Sequence, residues 1–268
     1  MKKLNHLKDI YHQYDCFLID LWGVIHNGVR LNQSAMNVVE NLTNKKKRLI
    51  FLSNAPRPNK SVIKFLQKLK MKNEYTQYVL TSGEAALISL KKNVFGEKFF
   101  HLGPARDKSL FSGFTENETS IEKSDFIICT GLYDEHENDL GYYENLLKSY
   151  IDKKLICTNP DLIVHRGNKE EYCAGTLAKI FEKLGGKVIY FGKPHKEIYD
   201  LCLKNNEKTL IIGDNLNTDI KGANNLKFDS IFITSGIHRR EFEDKNNMQK
   251  LLEKYNVSSK YFQEELSW

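Results

Sequence analysis

Short apolar runs that end on a polar or acidic residue, separated by segments of helical periodicity, constrain this chain more than any other feature. Cys16-Phe-Leu-Ile is followed at once by Asp20. A run so short and apolar throughout reads as a parallel strand buried on both faces, with Asp20 at its carboxyl end. Open α/β sheets bind ligands at that edge. Beyond a glycine-containing loop, Ser34 can cap a helix on which Ala35, Met36, Val38, Val39 and Leu42 follow helical spacing. Arg48-Leu-Ile-Phe-Leu-Ser53 then reads as a second strand ending on Ser53. A further helix over about 59–70 carries Val62, Ile63, Phe65, Leu66 and Leu69 on one face.

The pattern returns late in the chain. Lys187-Val-Ile-Tyr-Phe191 leads into Gly192-Lys193-Pro194, and Thr209-Leu-Ile-Ile-Gly213 leads into Asp214. Between the two halves, helix or strand candidates occur at 82–92, 125–130, 155–158 and 171–184, while the last thirty residues read as polar and helical. The expected fold is α/β: a Rossmann-like parallel-sheet core over residues 1–79 and 187–268, with an α/β domain inserted over 80–186. A chain of 268 residues is long enough for one such core and a smaller second domain.

Composition removes several function classes. No apolar run approaches the roughly 18 residues needed to cross a bilayer, and the amino terminus places Lys8, Asp9, His12 and Gln13 where a secretion signal needs an apolar stretch. The five cysteines, Cys16, Cys129, Cys157, Cys173 and Cys202, form no CxxC pair and read as buried small residues in a reducing cytoplasm. Net charge is +6, and its tightest cluster, Lys45 to Arg48, reads as a solvated helix end; no basic stripe interleaved with aromatics points to nucleic acid. What remains is a cytoplasmic protein with a mild bias toward small anionic ligands, acting on neither membrane nor nucleic acid.

The strand ends supply a carboxylate at Asp20, a hydroxyl at Ser53, an ammonium at Lys193 and a carboxylate at Asp214, with another acid at Asp219. Together these are the parts that phosphoryl transfer needs: a nucleophile, a hydrogen-bond donor, a positive charge for the phosphoryl oxygens, and acids for a divalent metal. Mg²⁺ suits carboxylate and carbonyl oxygens.

The segments Phe17-Leu-Ile-Asp20-Leu-Trp-Gly-Val-Ile25, Phe51-Leu-Ser53-Asn54, Gly192-Lys193-Pro194 and Gly213-Asp214-Asn-Leu-Asn-Thr-Asp219-Ile-Lys-Gly222 resemble the four motifs of the haloacid-dehalogenase superfamily. Cys157-Thr-Asn159-Pro160-Asp161 is similar to the cap signature of its class IIA, NagD-like sugar- and nucleotide-phosphate phosphatases. The resemblance implies a C2-type α/β cap and hydrolysis of a small phosphate monoester through an aspartyl-phosphate on Asp20. It implies that Ser53 and the backbone N–H of Asn54 hold phosphoryl oxygens, that Lys193 neutralises their charge and keeps Asp20 ionised, and that Asn159 and Asp161 face the substrate. It assigns Mg²⁺ to Asp20, Asp214, Asp219 and the backbone carbonyl of Trp22. The partner implied is a small phosphorylated metabolite, and a homodimer is compatible with all of this.

The chain departs from the family at one position. Where family phosphatases carry an aspartate two residues after the nucleophile, to protonate the leaving oxygen and activate water, this sequence has Trp22, whose indole exchanges no proton at neutral pH. General acid–base help is worth roughly 10²- to 10⁴-fold, so a slow or leaving-group-restricted phosphatase is expected. The alternatives are a phosphate-ester-binding regulatory protein or a phosphotransferase. His26 is a candidate replacement acid, Trp22 a ring platform or a packing residue between core and cap, and Arg166, beside His165, a candidate clamp for an acidic substrate group.

Overall fold

The structure is a computed structural model that describes residues 1–166, 169–241 and 247–268, without the side chains of Arg166 and Asn247. The clamp expected of Arg166 therefore lies outside the described residues. Its strands are, in chain order, β1 (Lys2–Lys3), β2 (Cys16–Ile19), β3 (Arg48–Ser53), β4 (Val79–Thr81), β5 (Phe99–Leu102), β6 (Phe126–Cys129), β7 (Lys154–Cys157), β8 (Ile163–Arg166), β9 (Lys169–Tyr172), β10 (Lys187–Tyr190), β11 (Thr209–Gly213), β12 (Asp229–Ile233) and β13 (Tyr261–Gln263). Among the described residues, seven of them form a parallel sheet in the order β1-β13-β12-β11-β2-β3-β4, and β10-β7-β6-β5 form a second parallel sheet. β8 and β9 make an antiparallel hairpin.

The central strands are apolar throughout because both faces are covered. In β2, Phe17 and Ile19 enter one core cluster while Cys16 and Leu18 enter the other; in β11, Leu210 and Ile212 oppose Ile211 in the same way. The helix Gln33–Asn44 buries Ala35, Val38, Val39 and Leu42 in the first cluster, where Val62 and Leu66 of the helix Asn59–Lys68 join them. All five cysteines are buried and unpaired. No helix of the described residues is long and apolar enough to cross a membrane.

Four expectations are corrected. The carboxamide of Asn32, not Ser34, caps the first helix: its Oδ1 accepts from the Ser34 backbone N–H at 3.1 Å and from the Ser34 hydroxyl at 2.9 Å. Lys187–Tyr190 was expected in the core from 187 onward, yet β10 pairs with β7 in the second sheet, while β4 in the core runs on to Thr81. An apolar run identifies a strand, but the sheet it joins depends on pairing with residues far away in sequence. Glu171 and Tyr172 belong to the hairpin, and the following helix starts at Ala174. The polar carboxyl-terminal stretch contains β13, which is sandwiched between β1 and β12. Its partners come from opposite ends of the chain.

Candidate active site

Because the core sheet is parallel, its carboxyl ends share one edge. Ile19 pairs with Phe51 on one side and Ile212 on the other, so Ser53, which ends β3, emerges together with Asp20 and Asp214, which follow β2 and β11. The backbone N–H of Asp20 donates to the Ile212 carbonyl at 2.9 Å, which fixes the start of its loop. Asp214 lies against that loop. A Cβ at Gly23, where φ is +86°, would overlap the Asp214 carboxylate, so only glycine admits both the turn and the close approach. Asp214 Oδ2 accepts from the Ile237 N–H at 2.7 Å. Asp219 stands on a π-helical turn, Leu216–Ile220, and its Oδ2 accepts from the Asn215 N–H at 3.1 Å.

Lys193 reaches this edge from the chain that leaves β10. Its ammonium, almost wholly buried, donates to Asp20 Oδ1 and, at 2.7 Å, to Asp219 Oδ1. Asn54 anchors the lysine backbone: its Oδ1 accepts from the Lys193 N–H at 2.7 Å and its Nδ2 donates to the Lys193 carbonyl at 3.0 Å. The same Nδ2 donates to Asp161 Oδ1 at 3.1 Å, and Asn215 Nδ2 donates to that oxygen at 3.3 Å. Asn159 Oδ1 accepts from the Asp161 N–H at 3.1 Å, shaping the loop after β7. Asp20, Ser53, Asn54, Asn159, Asp161, Lys193, Asp214, Asp219 and Trp22 all line one cavity of about 1590 Å³.

The electrostatics are those of a cluster short of positive charge. Oxygens of Asp20, Asp214 and Asp219 lie within 4.8 Å of one another, all three residues are buried, and among the described residues the Lys193 ammonium faces them. Burial first, and then the neighbouring carboxylates, hold Asp20 well above the usual carboxylate range against the opposing pull of Lys193. Burial and Asp219 push Asp214 up to about 8. The lysine was expected to keep Asp20 ionised; alone, it does not overcome desolvation. Lys193 itself is held above the ordinary lysine range, since its carboxylate partners outweigh its own burial.

The two residues of the departing motif resolve differently. Trp22 Nε1 donates to the His165 backbone carbonyl at 2.8 Å, so the loop after β2 is tied to the β8–β9 hairpin, as a packing role between the two regions requires. His26 does not qualify as the replacement acid. It is buried, its ring stands edge-on to Trp22 and Phe65, its Nδ1 accepts from the Gly28 N–H at 3.0 Å, and burial pulls it down to about 4. Burial disfavours the imidazolium form that would act as the acid at pH 7.

Sequence reasoning missed Asn215, which holds both Asp219 and Asp161, and the segment Gly236-Ile237-His238. There the Ile237 N–H holds Asp214, and His238 Nε2 accepts from the Leu216 N–H at 3.1 Å. The signal was available: Ile231-Phe-Ile233 followed by Thr-Ser-Gly is another apolar run ending on polar residues.

Residues 17–114 match the family of haloacid dehalogenase-like hydrolases, and residues 190–255 match a HAD-hydrolase-like family. The chain is 24% identical over 243 residues to the 5'-nucleotidase YutF of Bacillus subtilis, covering 85% of this chain and 90% of that protein. It is 34% identical over 88 residues to the ribonucleotide monophosphatase NagD of Escherichia coli, covering 31% and 34%. Its fold is similar to that of a haloacid dehalogenase-like hydrolase from Brucella suis, with a TM-score of 0.84 at 27% identity over 98% of this chain and 99% of that one. With two family matches that between them contain Asp20, Lys193, Asp214 and Asp219, and with a structural likeness spanning nearly the whole chain, the protein belongs to the haloacid-dehalogenase-like hydrolases.

Proposed function

We propose that this protein is a Mg²⁺-dependent phosphatase of small phosphate monoesters, of the sugar- or nucleotide-phosphate class, which works through an aspartyl-phosphate on Asp20. The observation that carries the reading is the buried group of Asp20, Asp214 and Asp219 around the Lys193 ammonium, at the edge where a parallel sheet presents its ligands. The donor set suits a hard divalent cation, since it consists of oxygens alone, and its raised carboxyl groups mark a deficit of positive charge. Asp20, Asp214 and Asp219, with the Trp22 backbone carbonyl, would hold the ion. Bound there, Mg²⁺ would supply the charge that offsets repulsion between an anionic nucleophile and an anionic ester.

The chain's own groups do the rest. An Asp20 oxygen attacks phosphorus. Ser53 Oγ accepts from the Ala55 N–H at 3.2 Å, which leaves its own proton to donate to a phosphoryl oxygen. Lys193 carries positive charge to the same oxygens. The residues of the second sheet and the β8–β9 hairpin act as a cap over the cavity and exclude water from it. YutF and NagD, both named for nucleotide substrates, support the nucleotide side of the substrate class.

Phosphate release from a panel of monoesters tests the reading. Turnover should require Mg²⁺ and fall at least about 10³-fold in Asp20→Asn, which removes the nucleophile. Turnover that persists in that variant overturns it. Phosphate that appears on an added acceptor alcohol instead of in solution points to phosphotransfer.

A further inference from the structure

A phosphate ester of an ordinary alcohol cannot expel its oxygen as a bare alkoxide at a useful rate, so some group must protonate it. In the loop after Asp20, Leu21, Trp22, Gly23, Val24 and Ile25 carry no exchangeable acid, and His26 is neutral and enclosed. Several other titratable groups of the cavity wall already have partners. Asp214 and Asp219 lie with Asp20, Lys193 donates to Asp20 and Asp219, and Asp107 is held by Arg57 Nε at 2.5 Å. At the exposed rim, Asp134 pairs with Arg106 and Glu137 with Lys169.

Asp161 differs from all of these. It belongs to the loop after β7, in the second sheet, yet its Oδ1 is pinned by Asn54 and Asn215, which follow β3 and β11 of the core. Asn54 is the residue whose backbone N–H the family resemblance assigns to a phosphoryl oxygen, so the Asp161 carboxyl, brought in on a loop of the second sheet, stands next to the expected phosphate cradle. In an in-line displacement the departing oxygen points away from the nucleophile, so its proton must come from a part of the cavity other than the Asp20 carboxylate. Asp161 is partly exposed, opening into the cavity.

We infer that Asp161 is the general acid that protonates the leaving oxygen and, once ionised, the base for the second half-reaction; the inference rests on the phosphatase reading. In the first step the Asp20 oxygen–phosphorus bond forms, the phosphorus–ester oxygen bond breaks, and the ester oxygen takes its electron pair and the Asp161 proton away as an alcohol. In the second, Asp161 accepts a proton from water as the water oxygen bonds to phosphorus. The phosphorus–Asp20 bond then breaks, phosphate leaves, and both side chains return to their starting states. Burial, opposed by Lys193 and reinforced by Asp219, raises the Asp161 carboxyl above the ordinary carboxylate range. The charged and titratable groups near it include Lys193, Asp219 and Asp214 from the core, the Cys157 thiol at the end of β7 and the Cys173 thiol just after β9.

The test compares p-nitrophenyl phosphate, whose leaving group departs without a proton, with glycerol 2-phosphate, whose leaving group does not. In Asp161→Asn, kcat on the alkyl ester should fall about 10²-fold or more while kcat on the aryl ester falls less than about 5-fold. In the wild type, the alkyl-to-aryl ratio of kcat/KM should decline with rising pH as Asp161 loses its proton, and that limb should vanish in the variant; the ratio cancels whatever Asp20 and the metal contribute to both esters. Equal losses on the two esters, or the selective alkyl loss appearing in His165→Gln instead, overturn the assignment. Should Asp161→Asn fail to fold, a wild-type ratio that is flat with pH also overturns it. Absence of Asp20-dependent release from either ester overturns the phosphatase reading itself, and this inference with it.

Discussion

Replacing Lys193 with methionine removes the ammonium that binds Asp20 and Asp219 and keeps an unbranched chain of similar length. The lysine side chain is 3% exposed and its partners are 9% and 2% exposed, so the pair is buried on both sides. Removing one member of a buried pair costs about 3–5 kcal/mol. Here the acids can take up protons, which limits the loss at neutral pH to the lower end, about 3 kcal/mol. In a chain of this size each kcal/mol moves Tm by about 2–4 °C, so the metal-free variant should melt about 6–12 °C below wild type at pH 8. The sign with pH follows from the direction of the shifts. Asp20 and Asp214 already lie above the ordinary carboxylate range in the folded state, Asp214 at about 8, and losing Lys193 raises them further. An acid raised on folding binds more protons folded than unfolded, so it favours the fold at low pH and opposes it as pH climbs from the unfolded value of about 3.9. The deficit of the variant must therefore shrink from pH 8 to pH 5. Thermal unfolding of both proteins in EDTA at the two pH values measures it, and added Mg²⁺ should recover part of the loss. Equal melting at pH 8, or a deficit that widens on acidification, refutes the reasoning.

Burial holds His26 and His101 at about 4 in the folded protein, below the ordinary value of about 6.5, so the stability they contribute is complete above that value and lost as pH falls toward 4. Denaturant midpoints between pH 7 and 4.5 should fall accordingly, and His101→Gln should flatten the slope; an unchanged slope counts against the assignment. Gly23→Ala, which drives a Cβ into the Asp214 carboxylate at a φ of +86°, should lower phosphatase kcat/KM by more than about 10-fold, and an activity near wild type contradicts the packing described. Trp22→Phe keeps a ring but loses the bond to the His165 carbonyl, and should cost about 0.5–1.5 kcal/mol in urea unfolding. An unchanged midpoint would show that this tether contributes nothing.

The sequence alone determined that Asp20, Ser53 and Asp214 end parallel strands, because a short run apolar on both faces can satisfy its backbone and bury its side chains in few other ways. Motif resemblance implied in addition that Lys193, Asp219 and Asp161 share one site, and the structure lines one cavity with all three. Pairing decided what periodicity could not. Lys187–Tyr190 reads as a strand in isolation, but its alignment with β7 in the second sheet is a contact made across the fold. β13, short and flanked by polar residues, becomes a strand only because β1 and β12 offer it backbone partners. Protonation was likewise illegible in the chain. His26 has an ordinary imidazole until Trp22 and Phe65 enclose it, and Asp161 an ordinary carboxyl until Asn54, Asn215 and the buried charges of the core surround it. Local pattern fixes which residues end a strand, because it depends on neighbours in sequence; pairing partners and acid strength depend on neighbours in space, which only the folded chain supplies.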